Sequence, residues 1–108
     1  MTTLTRSGMA EVQNGQRYIN ILCKHWARKF DVQLDDEGAK VVFPKEDDDP
    51  DYPEVATAIF RSTESRLDVH LTAFTQTQLD AYWSAIDDHL DRFAAREGGL
   101  RLVVGETT

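Results

Sequence analysis

RLDVHLTAFTQTQLDAYWSAIDDHL, residues 66–90, changes its hydrophobic period partway along. Over Arg66–Phe74 the apolar residues Leu67, Val69, Leu71 and Ala73 alternate with Asp68, His70 and Thr72, which gives a strand with one packed and one wet face. From Leu79 the spacing becomes helical: Leu79, Tyr82, Trp83, Ile86, Leu90 and Phe93 form one stripe. The join is Thr75-Gln-Thr-Gln78, with capping-box spacing, so Thr75 is expected as N-cap and Gln78 as the residue reaching back. A helix is expected to run on to about Glu97, where Gly98-Gly99 stops it.

Upstream, Gly8–Val12 reads as a short strand broken by Asn14-Gly15, with Asn14 expected to cap a helix over 16–30. Tyr18, Ile19, Leu22, Cys23, Trp26 and Phe30 share its apolar face, and Arg17, Lys24 and Arg28 form a basic stripe on the other side. Val32 and Leu34, the turn Asp35–Gly38 and the run Ala39–Phe43 read as a β-hairpin, with Gly38 expected at positive φ. Pro44 ends that strand, Glu54–Phe60 is the next, and Thr63-Glu-Ser65 turns into the alternating run. Leu100–Val104 is the last strand.

The order β-α-β-β-β-β-α-β predicts an α+β domain: a mostly antiparallel sheet with both helices on one face. It is similar to one half of the TATA-binding-protein-like architecture, an analogy of fold that carries no function. The 108 residues fit a single domain, 1–108, with an ordered core expected over 7–104 and an acidic loop over 44–53.

Composition narrows the function class. The net charge is −7, and KEDDDPDYPE, residues 45–54, supplies six carboxylates within a short stretch. The rest of the chain is close to neutral. Such a surface repels phosphate backbones, so no nucleic acid is expected as partner. No apolar run approaches the roughly 20 residues of a membrane span, the start lacks the apolar core of a signal peptide, and Cys23 stands alone. A cytoplasmic protein with no membrane partner is the expectation. The acidic loop lacks the glycine and alternating ligands of a calcium loop, and two prolines stiffen it, so it reads as a solvated connection.

No P-loop, nucleophile elbow, dinucleotide fingerprint, HExxH or CxxC occurs. The sequence leans away from an enzyme, with no catalytic residue, cofactor or metal expected. Cys23 and His25, two apart on a helix, point about 200° from each other and cannot share an ion. His25 and His89 each lie at the margin of a buried stripe, so helices on the same sheet face could bring their imidazoles together. A metal would need a further donor, and the residues point to none, so a hydrogen-bonded structural role is expected. Asp80, Asp87 and Asp91 line one flank of the second helix at the spacing of the basic stripe, an arrangement that would let the two meet across a homodimer.

Two stretches carry a family resemblance. Arg17–Trp26 (RYINILCKHW) resembles the R-Y-L-x-x-L-C-x-H-F helix, and His89–Glu97 (HLDRFAARE) the H-L-x-R-F-A-x-R-E segment, of the bacterial domain of unknown function 2218 family. Trp26 and Ala95 depart from the aromatics usual at those positions, and the acidic loop is longer than the family's turn. The resemblance implies an uncharacterised stand-alone protein linked to iron or siderophore utilisation, with a siderophore-interacting reductase as a partner. It makes Tyr18, Leu22, Cys23, His25, His89, Arg92, Phe93, Arg96 and Glu97 signature positions. A ligand site between the helices would use His25, His89, Arg92, Arg96 and Glu97, with Arg17, Lys24 and Arg28 as a basic face. The alternative is an interaction or dimeric module with no small-molecule ligand.

Overall fold

The computed structural model describes residues 3–95 and 98–107, the side chains of 106 and 107 excepted. Its elements are β1 (Leu4–Glu11), α1 (Gly15–Trp26), β2 (Asp31–Asp35), β3 (Gly38–Phe43), β4 (Ala56–Ser62), β5 (Arg66–Ala73), α2 (Gln76–Phe93) and β6 (Val103–Thr107). The order is the expected β-α-β-β-β-β-α-β, and every strand pairing is antiparallel. In space the strands run β2-β3-β4-β5-β1-β6, so β1 lies inside the sheet between β5 and β6.

Alternation decides which face is covered. Ala39, Val41 and Phe43 of β3, Ala56, Ala58 and Phe60 of β4, and Leu67, Val69, Leu71 and Ala73 of β5 are all buried on one face. Ile19, Leu22 and Trp26 of α1 and Leu79, Trp83, Ile86 and Leu90 of α2 complete the core from above. The helices pack side by side, α1 over β2–β5 and α2 over β1 and β5. The opposite sheet face carries Lys40, Thr57, Arg61, Asp68, His70 and Thr72 and no helix, and there Ser7 Oγ lies 2.6 Å from His70 Nδ1.

Several local details differ from the sequence reading. Asn14 sits at the α1 N-cap in the left-handed region (φ 63°) and makes no side-chain cap bond, so its contribution is the turn it tolerates. Gly38 is absent from the positive-φ residues; a Cβ there would lie 1.9 Å from the Phe60 carbonyl oxygen, so the glycine lets β4 approach β3. α1 ends at Trp26 and α2 at Phe93, each four residues before its expected end. The left-handed pair is Gly98 and Gly99 (φ 94° and 88°), and the Gly99 N–H donates to the Ala94 carbonyl at 2.8 Å. The last strand begins at Val103; Leu100 and Leu102 are instead buried on the way to it.

Thr75 does cap α2, accepting from the Gln78 N–H at 3.1 Å. Gln78 is fully buried, and its Oε1 accepts from the Phe74 N–H, one residue before the cap. Its Nε2 donates to the Glu54 carbonyl, which ties the end of the acidic loop to the start of α2.

Candidate functional site

The last turns of α1 and α2 converge, because Trp26 and His89 face each other across the interhelical seam with ring centroids 5.3 Å apart. One residue before Trp26, the His25 ring lies 5.1 Å from the His89 ring at a 48° tilt. Phe93 stands edge-on to both imidazoles, at 6.1 and 6.0 Å. Behind them the aromatic row continues inward through Trp26 to Phe30 and Phe43, and from Phe43 to Tyr82, stacked at 4.2 Å. His25 is exposed and His89 half-buried, so the pair is the open end of this row.

His89 Nδ1 lies 2.6 Å from the Ala85 carbonyl oxygen, one turn earlier in α2. A carbonyl can only accept, so Nδ1 carries the proton and Nε2 of the neutral ring keeps its lone pair. The helix thus fixes both the tautomer and the orientation of this imidazole.

Basic residues stand close in the chain to both histidines. Lys24 is in the last turn of α1, Arg92 in the last turn of α2, and Arg28 follows His25 by three residues as Arg92 follows His89. All three are exposed and make no ion pair among the described residues. Cations at a helix C-terminus complement its partial negative charge, which gives these positions a local rationale. Arg17, at the other end of α1, holds its guanidinium 5.9 Å from the Tyr18 ring. Arg96 and Glu97, which the sequence places beside this cluster, lie outside the described residues.

Cys23 faces the core, away from His25, and burial pushes its thiol up to about 11. It is a protonated, apolar-packed group at neutral pH. Tyr82, at the inner end of the aromatic row, is pushed up to about 12 by burial and by the nearby Tyr52 and Glu46. Its hydroxyl donates to the Pro44 carbonyl at 3.3 Å.

The acidic flank of α2 behaves in the opposite way to the basic cluster. Asp80 pairs with Arg6 at 3.0 Å, and Arg6 also lies over the Trp83 ring at 5.8 Å. Asp87 accepts from the Leu102 N–H at 3.0 Å and from Arg101 at 3.2 Å. Asp91 accepts from the Leu100 N–H at 2.9 Å and pairs with Arg101 at 3.3 Å. Asp87 and Asp91, with Asp88, raise the pKa of the Arg101 guanidinium, foremost through the Asp87 hydrogen bond. The flank expected to meet a second copy's basic stripe is engaged within its own chain: it straps residues 100–102 to α2 and delivers the chain to β6. Sequence reasoning missed Arg6 and Arg101, which lie far from the helix in the chain, although the i, i+4 spacing of Asp87 and Asp91 signals one shared face.

The acidic loop presents Glu46, Asp47, Asp48 and Asp51 to solvent, while its backbone closes on itself through Glu46 N–H to the Tyr52 carbonyl and Tyr52 N–H to the Asp49 carbonyl. No group of three or more His, Cys, Asp or Glu residues able to hold a metal occurs among the described residues. Nor, among them, does any buried side-chain polar atom lack a partner. None of their helices is long and apolar enough to cross a membrane.

The profile of an uncharacterised protein family conserved in bacteria, domain of unknown function 2218, matches residues 7–103. Among solved structures, the NMR structure of a Pseudomonas aeruginosa protein aligns with a TM-score of 0.68, covering 97% of this chain and 96% of that one. At 24% identity this likeness establishes a shared fold. No curated protein matches the sequence. With its helix motifs, its order of elements and nearly its whole length accounted for, the chain belongs to the domain of unknown function 2218 family.

Proposed function

We propose that this protein is an accessory binding module that takes a small anionic ligand where α1 and α2 converge, with iron or siderophore utilisation as its setting. His25, His89 and Arg92 make the contacts, while Lys24 and Arg28 supply attraction. One observation carries the reading: in a chain of net charge −7, Lys24, Arg28 and Arg92 stand within three residues of one or other of two adjacent imidazoles and make no ion pair among the described residues. Guanidinium and ammonium groups beside the two imidazoles suit carboxylate or catecholate oxygens, which the cations bind through charge-assisted hydrogen bonds. A siderophore-interacting reductase is the partner this reading favours.

The test is a titration with ferric siderophores read by tryptophan fluorescence, since Trp26 packs against His89. Micromolar quenching that is lost in a Lys24→Glu/Arg28→Glu/Arg92→Glu variant supports the reading. Unchanged fluorescence at high micromolar concentration overturns it.

A further inference from the structure

The geometry points to His25 and His89 as a two-imidazole site for a borderline divalent transition ion of the zinc, nickel or copper class. Two imidazole nitrogens bound to one zinc at about 2.0–2.1 Å with a tetrahedral angle put their ring centroids roughly 5.2 Å apart. The His25 and His89 centroids are 5.1 Å apart. The separation of the rings therefore matches that of two imidazoles on one ion.

The second requirement is a lone pair held ready. A ligating histidine almost always donates its other ring N–H to a carbonyl or carboxylate, which fixes the tautomer and raises the basicity of the free nitrogen. His89 meets this condition through Nδ1 and the Ala85 carbonyl, leaving Nε2 as the donor atom. His25 is exposed and makes no other polar contact among the described residues, so its ring turns to meet the ion at little cost. Phe93, edge-on to both rings, and Trp26 behind His89 make an apolar wall on the inner side. The remaining positions face outward, for water or an anionic oxygen donor.

Imidazole ligands select this class over magnesium or calcium, which take oxygen donors. Arg28 and Arg92 oppose a bare dication, and the converging helix C-termini, with their partial negative charge, offset part of that repulsion. The same arginines favour an anion as the outward ligand. The inference deepens the proposed function by naming a bound ion as the centre to which an anion attaches. It stands apart in its test, because the metal is supplied alone.

Untagged protein is titrated with nickel or zinc in a non-coordinating buffer by calorimetry, and melting is followed in parallel. The expected result is one equivalent bound with micromolar affinity and a raised melting temperature. Affinity is expected to fall about tenfold or more in both His25→Ala and His89→Gln and to stay unchanged in His70→Ala, the histidine of the opposite sheet face. His25 is exposed, so its variant keeps the fold even where His89→Gln does not. No binding below millimolar metal, binding that survives His25→Ala, or loss in His70→Ala would each overturn the assignment. Metal binding without siderophore binding would leave this site standing and remove the proposed function's ligand.

Discussion

Two sides of α2 carry charge and use it differently. On one side Asp80, Asp87 and Asp91 meet Arg6, Arg101 and the N–H groups of residues 100 and 102, so the charge fastens strands to the helix. On the other, Arg92 stands in the last turn beside His89 and forms no ion pair among the described residues. A charged stripe becomes a strap when a segment distant in sequence returns to it; otherwise it is left for solvent or a ligand. Spacing along the helix does not tell the two apart, because the deciding residues are elsewhere in the chain.

The comparison breaks first if the strap is worth nothing. Asp87→Ala with Asp91→Ala leaves the Leu100 and Leu102 N–H groups without their carboxylate acceptors and Arg101 without two of its counter-charges. Hydrogen bonds to charged groups contribute about 1.5–3 kcal/mol each, and these two are close enough to couple, so a loss of about 3 kcal/mol is expected in urea unfolding. Hydrogen exchange at residues 100–102 should accelerate with it.

A pH titration sharpens the contrast from within. The group to follow is the buried Cys23 thiol, which burial pushes up. In the unfolded chain the Cys23 thiol ionises near 9.0, and in the folded chain only near about 11. The raised folded-state value means its stabilising contribution is intact below pH 9 and disappears as pH climbs to about 11, a change on the order of 2 kcal/mol. Cys23→Ala should flatten the stability profile across that window, whatever its effect at neutral pH.

The smallest effect belongs to the basic side. Lys24→Glu or Arg92→Glu should change unfolding stability by no more than about 1 kcal/mol, since each side chain is exposed and unpaired among the described residues and acts only on its helix C-terminus. A loss as large as that of the aspartate pair would make the basic cluster structural too and erase the difference between the two sides.

The fold was legible because period and face survive small errors of boundary. Leu67, Val69 and Leu71 are buried as their alternation required, and the helices present Ile19, Leu22, Trp26, Leu79, Ile86 and Leu90 to the core. The approach of His25 to His89 was readable as well, since both sit at the margins of stripes that share one sheet face. What escaped depends on contacts between distant segments. Gly38 is explained by the Phe60 carbonyl of the neighbouring strand, and Gln78 by the Glu54 carbonyl across the loop. The position of β6 is explained by Arg101 and its aspartates, which occupy residues 100–102 that alternation alone would have placed in the strand.

The interior position of β1 sets a timetable for making the molecule. On a ribosome adding about 5–20 residues per second, β1 is synthesised several seconds before either of its neighbours, β5 and β6. During that interval the nascent β1 has neither of the strands that will pair with its two edges.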